Sequence, residues 1–196
     1  MKKQDVREKS DKLRFKYINR YIKGSEVLDI GSSEGFLHKL LKSKNKEKKF
    51  YTLDFSGKVD FKVNLDFPEK SKPIKRKFDT IIAGEIIEHL ESPIRFIKYC
   101  KSLLKKKGRI ILTTPNAIGL QYLLKEDWCV FYKDYRGHTQ TFTMPMLERI
   151  FLDSGFKIFH KDYINAFWIN NPFQYFSLLI KKIRPDLMIV ADSVSD

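Results

Sequence analysis

The sequence contains little cysteine, proline or glycine. Only two cysteines, Cys100 and Cys129, occur among its 196 residues, and their spacing matches no metal-binding motif. Such sparse cysteine is typical of proteins in a reducing compartment, so we expect a cytoplasmic protein. Its seven prolines and nine glycines form no linker, which predicts a single domain over residues 1–196.

Long apolar runs are absent as well. No run reaches the ~18 residues that a membrane-spanning helix needs, and residues 1–5 lack the apolar start of a signal peptide. We therefore expect no integral membrane segment. Hydrophobic residues still make up 42% of the chain and aromatic residues 14%, which favours a globular protein over a disordered one.

Acidic residues are few relative to basic ones. The chain has 24 acidic and 38 basic residues, which gives a formal net charge of +14. This excess is consistent either with a solvated lysine-rich surface or with a polyanionic partner such as RNA or an anionic membrane surface. Net charge alone does not distinguish a solvated surface from a polyanionic partner, so RNA remains a possible partner.

Short apolar runs alternate with amphipathic segments along most of the chain. This alternation is typical of a mostly parallel sheet with helices on both faces. The predicted strands cover residues 27–30, 50–53, 61–63, 80–83, 109–113, 156–163 and 187–191. The predicted helices include residues 34–42, 94–104 and 144–154.

Two further segments flank or interrupt this pattern. Residues 1–23 carry apolar side chains at helical spacing among many charges, which predicts a basic N-terminal helix. It either packs on the sheet edge or serves as a lid. Residues 117–140 lose the alternation and predict an insertion, or lid, over the carboxyl edge of the sheet, where the active site would lie.

The most informative motif is a glycine turn after the first strand. There Asp29-Ile30-Gly31 is followed by Ser32, Ser33, Glu34 and Gly35, and then by a helical pattern. Such a turn brings backbone close to a ligand and directs helix N–H groups at it. Asp54 ends the next strand, where a carboxylate can accept hydrogen bonds from both hydroxyls of a ribose. A nucleotide-like ligand is therefore predicted.

A second motif follows the fourth strand, in the run Glu85-Ile86-Ile87-Glu88-His89-Leu90. We expect a helix to start near Glu85, and in it Glu85, Glu88 and His89 would share one face. Two carboxylates and an imidazole bind a divalent metal such as Mg²⁺ or carry out acid–base chemistry, and His138 is a candidate fourth ligand. Alternatively, the same groups form an internally hydrogen-bonded cluster.

Four segments in this order together resemble the class I S-adenosylmethionine-dependent methyltransferases. They are residues 27–35, 53–54, 78–82 and 108–116. The resemblance extends over roughly residues 25–165, with Ser33 replacing the middle glycine of the usual turn. It implies a Rossmann-like α/β fold whose seven-stranded sheet is mostly parallel, with helices on both faces and an antiparallel last strand.

The resemblance also implies which residues bind the cofactor, S-adenosylmethionine. The methionine part would be held by Asp29 and by the turn at Gly31, Ser32 and Gly35. Asp54 would bind the ribose hydroxyls. The remaining implied contacts are Phe55 beside the adenine, Asp66 near the adenine amino group, and Gly84 and Glu85 lining the pocket.

The segment from Glu85 to Leu90 resembles a narrower subgroup of these enzymes. It includes ubiquinone-pathway O-methyltransferases, envelope-glycan methyltransferases and small-RNA 3′-end methyltransferases. The resemblance implies methyl transfer to a hydroxyl of a small molecule or glycan, with His89, Glu88 or His138 as the base. In some members such residues hold a metal, here Glu85, Glu88, His89 and His138.

Two alternatives to this function remain. One is an RNA ribose 2′-O-methyltransferase that uses the four-residue metal site. The other is a non-catalytic module that binds a cofactor or nucleic acid. The sequence gives no indication of the oligomeric state.

Overall fold

A central β-sheet organises the protein. The computed structural model describes residues 3–32, 35–120, 137–165 and 179–194, and within them the sheet has seven strands. The strands are β1 (Glu26–Ile30), β2 (Lys49–Asp54), β3 (Phe61–Lys62), β4 (Phe78–Gly84), β5 (Leu104–Pro115), β6 (Phe156–Ile164) and β7 (Asp186–Ser193).

The strand order is β3-β2-β1-β4-β5-β7-β6. Pairs among β1 to β5 are parallel, whereas β7 runs antiparallel to both β5 and β6. The predicted fold is therefore confirmed, including the antiparallel last strand. Because the parallel strands end at one edge, the residues after β1, β2 and β4 come together there.

Helices cover both faces of the sheet. They are α1 (Lys3–Ile18), α2 (Phe36–Lys44), α3 (Pro93–Leu103) and α4 (Met144–Asp153). Ile18 of α1 and Leu41 of α2 pack on one face, while Phe96 of α3 and Phe151 of α4 pack in the core on the other. The central strands are buried on both faces, which explains why they appear in the sequence as continuous apolar runs.

The ends of some elements differ from the sequence prediction. The N-terminal helix ends at Ile18 and a 3₁₀ turn, Asn19–Tyr21, follows, so the helix does not continue to residue 23. Strand β5 begins at Leu104 rather than at residue 109, because a lysine run that resembles a loop is part of the strand.

The predicted helix at Glu85 is wrong. Glu85 has a φ of +53°, in the left-handed region, and only a 3₁₀ turn, Ile87–His89, follows it. The Glu85 backbone N–H donates to the carbonyl of Thr113 on β5, at 3.0 Å. The left-handed backbone at Glu85 is incompatible with an α-helical turn, so Glu85 does not share a helix face with Glu88 and His89.

Parts of the predicted organisation lie outside the described residues. These are Ser33 and Glu34 of the glycine turn, residues 121–136 of the predicted insertion, and residues 166–178. Among the helices that the structure does describe, none combines the length and the apolar character required to cross a bilayer.

Candidate functional site

The turn after β1 brings backbone to the carboxyl edge of the sheet. Gly31 has a φ of +76°, and its N–H donates to the carbonyl of Leu53 at 2.8 Å. A β-carbon at Gly31 would lie 3.1 Å from the side chain of Ile86. Both the left-handed conformation and this close approach favour glycine. Gly35 then caps α2, and its N–H donates to the carbonyl of Ser32 at 2.6 Å.

Asp29 lies beneath this turn. It is buried on β1, and its Oδ2 lies 3.0 Å from Nδ1 of His38 on α2, which is also buried. Burial raises the pKa of the Asp29 carboxyl, and the hydrogen bond with His38 opposes that increase. Asp29 therefore fastens α2 to the strand that carries the turn. The sequence analysis did not identify His38, because nothing in the local pattern links it to Asp29.

A cavity of about 270 Å³ opens beside the turn. Its lining comes from the turn, from the residues after β2 and β3, and from the segment that follows β4. The lining residues are Gly31, Asp54, Phe55, Ser56, Val63, Asn64, Leu65, Ile86, His89 and Leu90. Of the predicted cofactor residues, this cavity thus brings together Gly31, Asp54 and Phe55.

Asp54 presents a partly free carboxylate to the cavity. Its Oδ1 accepts a hydrogen bond from the N–H of Phe55 at 2.6 Å, and within the described chain Oδ2 has no hydrogen-bond partner. The ring of Phe55 is 55% exposed at the same rim. The pair offers an anionic acceptor beside an aromatic surface, an arrangement suited to a ribose and its base.

The structure places Asp66 between the loop after β3 and the segment that leads into α3. It is buried, and its Oδ1 accepts a hydrogen bond from the N–H of Glu91 at 2.8 Å. It does not line the cavity, whereas Asn64 and Leu65 do. Asp66 therefore ties the loop after β3 to the start of α3. Asn64, two residues earlier, provides the polar side chain at the cavity, and the sequence pattern did not distinguish the two.

Glu85 faces a buried arginine from the N-terminal helix. Nη2 of Arg14 lies 3.6 Å from the Glu85 carboxylate, and Nη1 donates to Asp11 at 3.0 Å. Burial lowers the pKa of Arg14, but the Glu85 and Asp186 carboxylates hold it above its ordinary value. The N-terminal helix thus delivers a cation to the site. The sequence analysis did not identify Arg14, because its partners are distant in the chain.

Several buried polar atoms near this arginine lack hydrogen-bond partners among the described residues. They are Arg14 Nε, Glu85 Oε1 and Thr113 Oγ1, and Ser32 Oγ in the turn after β1 is likewise without a partner among those residues. A β-carbon at Gly84 would lie 3.5 Å from Thr113 Oγ1 and 3.7 Å from Arg14 Cδ, so these groups enclose one place. Buried polar groups are normally paired. The unpaired atoms therefore fit a ligand that carries its own charged groups, as the amino-acid part of S-adenosylmethionine does.

A cluster of one acid and two histidines adjoins the cavity. Glu88 is 1% exposed, and its Oε2 accepts a hydrogen bond from the Thr114 hydroxyl at 3.0 Å. Glu88 Oε1 has no hydrogen-bond partner in the described part of the chain and lies 4.0 Å from Nε2 of His89. The ring centroids of His89 and His138 are 4.9 Å apart. His89 also lines the cavity, so it connects the cavity to the cluster.

The cluster has ligand atoms that could hold a metal ion. One such atom from each of Glu88, His89 and His138 lies within 4.8 Å of the others. Glu85 is not part of this group, and its carboxylate faces Arg14 instead. The structure thus brings together three of the four predicted metal ligands.

Burial changes the titration of the cluster. The pKa of Glu88 is raised well above its ordinary value by burial and by the nearby Glu85 carboxylate. The pKa of His138 is lowered to about 4 by burial and by repulsion from His89. His138 is therefore a neutral imidazole near pH 7, the form that binds a metal.

Backbone contacts hold His138 in place. The carbonyl of Glu88 accepts hydrogen bonds from the N–H groups of Thr139 and Gln140, at 3.0 and 3.3 Å. The side chain of Gln140 donates to the carbonyl of Leu90. The described end of the predicted insertion is thus attached to the segment after β4.

Solved structures with the same fold are known. One is a SAM-dependent methyltransferase from Archaeoglobus fulgidus, with a TM-score of 0.68, 21% identity and 97% of each chain covered. Another is an S-adenosylmethionine-dependent methyltransferase from Mesorhizobium loti, with a TM-score of 0.66, 16% identity, and coverage of 93% of this chain and 97% of that one. At these identities the likeness establishes the fold alone.

Sequence comparison gives relatives that are more similar. Over 140 residues the chain is 33% identical to the ubiquinone biosynthesis O-methyltransferase of Pelagibacter ubique, a match covering 57% of each protein. Over 127 residues it is 27% identical to the enzyme of that name from Xanthomonas euvesicatoria, covering 57% of this chain and 53% of the relative. The chain spans little more than half the length of these relatives. A family model described as a methyltransferase domain matches residues 5–161, and the chain therefore belongs to the family of methyltransferase domains.

Proposed function

We propose that this protein transfers a methyl group from S-adenosylmethionine to a hydroxyl oxygen. The observation that carries the proposal is the position of His89, which lines the cavity beside Gly31 and Asp54 and also contacts the Glu88–His138 cluster. A cofactor cavity and a set of acid–base groups thus meet at one side chain. The family match supports the same activity.

The cofactor would be held by residues from α1, β2 and β5 and from the loop after β3. Asp54 would accept hydrogen bonds from the ribose hydroxyls, and Asn64 would face the adenine. Arg14 and Thr113 would pair with the charged amino-acid part. The free oxygen of Asp54 and the unpaired atoms near Arg14 support this assignment.

The bound cofactor supplies a methyl group already activated by its sulfonium, so the protein forms no covalent bond to it. The chain must align the acceptor, exclude water and remove the hydroxyl proton. We assign proton removal to a ring nitrogen of His89 or His138. Thr114 donates to one oxygen of Glu88, and the other oxygen lies 4.0 Å from Nε2 of His89, where it can orient the ring.

We further propose that the protein binds a divalent metal such as Mg²⁺. Glu88, His89 and His138 would be its ligands, and the metal would lower the pKa of a bound hydroxyl. Their spacing supports this assignment, and Glu85 falls outside the set.

We propose a small-molecule hydroxyl as the acceptor. The support is the similarity to relatives whose names specify an O-methyltransferase of ubiquinone biosynthesis. Methyl transfer to a glycan hydroxyl would use the same chemistry. The hydroxyl of an RNA ribose is the alternative acceptor, which the net charge of +14 suggests. Low cysteine content supports a cytoplasmic location.

One assay tests these points together. Purified protein is incubated with cofactor carrying a labelled methyl group and with fractionated cell extract, with and without a chelator or ribonuclease. We expect label in a small-molecule fraction, insensitive to ribonuclease and absent with a His89→Ala variant. Absence of transfer to every fraction, together with no cofactor binding, would refute the proposal. Loss of label after ribonuclease treatment would instead identify RNA as the acceptor.

A further inference from the structure

A second cavity lies on the α2 side of the sheet, away from the proposed cofactor cavity. Strands β2 and β3 are parallel, yet only residues 55–60 connect them, and none of these is helical. Parallel strands are usually joined by a crossover of a dozen or more residues, most often a helix that covers the sheet. Here the short connection leaves β2 uncovered beside α2. A groove with a volume of about 480 Å³ occupies that place.

Hydrogen bonds build one wall of this groove. The Asp60 carboxylate accepts from both the backbone N–H and the hydroxyl of Thr52, each at 2.8 Å. In return, the Asp60 N–H donates to the Thr52 hydroxyl at 3.0 Å. These three bonds hold the connecting loop against β2, so the groove is a fixed feature.

The groove is rich in positive charge. Lys39 and Lys42 of α2 and Lys58 of the connecting loop line it. None of the three forms an ion pair with an acidic residue in the described part of the chain, whereas Lys105 pairs with an aspartate at 2.9 Å. Among the described residues that line the groove, Asp60 is the only acidic one, and Thr52 already donates to it. Three exposed lysines thus line the groove together with one hydrogen-bonded carboxylate.

A buried histidine adds a further polar group. His38 lines the groove although it is only 7% exposed. Its Nδ1 is directed at Asp29, and within the described chain Nε2 has no hydrogen-bond partner. The ring of Phe50 stands edge-on to His38, with centroids 6.1 Å apart, and supplies an apolar wall. The groove therefore combines unpaired cations, a free imidazole nitrogen and an aromatic surface.

We propose that this groove binds the phosphate group of a small phosphorylated molecule. Phosphate carries up to two charges and several strong acceptor oxygens, which match ammonium donors arranged around one space. The volume exceeds that of a phosphate ion, so the rest of the ligand would contact Phe50. None of the lining residues of this groove lines the cofactor cavity, and the two sites adjoin through the His38–Asp29 contact.

Calorimetry with inorganic pyrophosphate as the probe tests the proposal on the full-length protein at low ionic strength. We expect saturable binding at one site, weakened by about tenfold or more in the double variant Lys42→Gln/Lys58→Gln. The matched control Lys106→Gln/Lys157→Gln removes the same charge elsewhere and should keep the wild-type affinity. Equal weakening in both variants, or no binding up to ~10 mM pyrophosphate, would overturn the proposal.

Two further measurements locate the site and identify the ligand class. Bound pyrophosphate should slow amide hydrogen exchange in residues 50–60, and unchanged exchange there would overturn the assignment. Inorganic phosphate should compete with pyrophosphate. A short single-stranded RNA that binds more tightly than pyrophosphate, and loses affinity in Lys42→Gln/Lys58→Gln but not in the control, would replace the small ligand with a nucleic acid.

Discussion

Replacing Asp54 by alanine should weaken the binding of S-adenosylmethionine. One oxygen of this carboxylate accepts the N–H of Phe55 at 2.6 Å, and the other has no partner among the described residues. A ribose offers two hydroxyls to this carboxylate. A hydrogen bond to a charged group contributes about 1.5–3 kcal/mol. Because water can replace part of the lost hydrogen bonding to the ribose, we expect the binding free energy of the cofactor to weaken by about 2–4 kcal/mol, which is roughly a 30- to 700-fold rise in Kd.

Titration calorimetry on three variants separates charge from shape. Asp54→Asn keeps the size and one acceptor oxygen but removes the charge, so its affinity should fall between those of the wild type and Asp54→Ala. Asp153→Asn is the matched control, because it removes an acidic group from the surface of α4, where Asp153 pairs with Arg149. If Asp54→Ala is folded and binds within about threefold of the wild type, a difference under 1 kcal/mol, the ribose assignment is wrong.

Three further outcomes follow from the structure. Thr114→Val removes the hydroxyl that donates to Glu88 at 3.0 Å and should lower the unfolding free energy by about 1–3 kcal/mol in urea denaturation; an unchanged midpoint would argue against that bond. Burial holds the pKa of His138 at about 4, below its ordinary 6.5, so the unfolded chain binds the proton more tightly between those values. Stability should therefore fall by on the order of 1–2 kcal/mol from pH 6.5 to 4, and His138→Asn should lose this dependence. Phe151→Ala opens a cavity beside Phe156, whose ring centroid lies 5.5 Å from that of Phe151. It should lower the unfolding free energy by about 3–5 kcal/mol in urea denaturation. A decrease of less than about 1 kcal/mol would contradict this packing.

The strands and the glycine turn could be predicted from the sequence because their signals are local. Each central parallel strand is buried on both faces, so Val27 to Ile30 and Thr80 to Ala83 appear as apolar runs. Gly31 ends the first run, where a left-handed residue is needed. Asp54 was identifiable because the carboxyl ends of parallel strands lie along one edge.

The segment after β4 could not be predicted in the same way. The spacing of Glu85, Glu88 and His89 is compatible with a helix, but Glu85 adopts a left-handed backbone and its N–H donates to Thr113, 28 positions later in the sequence. Arg14 and His38 were not identified for the same reason: each meets its partner only after the sheet assembles. Lone basic residues on amphipathic helices carry no local sign of such contacts.

The position of His89 limits how the cofactor cavity and the cluster of Glu88, His89 and His138 can act together. Its side chain lines the cavity and is also a candidate metal ligand and a candidate base. A ring nitrogen that binds a metal cannot accept a proton, and Nδ1 lies 3.4 Å from the carbonyl of Gly137, which it contacts as a donor in the neutral ring. Only Nε2 then remains for chemistry. If a divalent metal were held there, His89 would be one of its ligands, the metal would lower the pKa of a bound hydroxyl, and activity would depend on the ion. If no metal binds, His89 or neutral His138 acts directly. Sensitivity to a chelator therefore decides which atom accepts the proton.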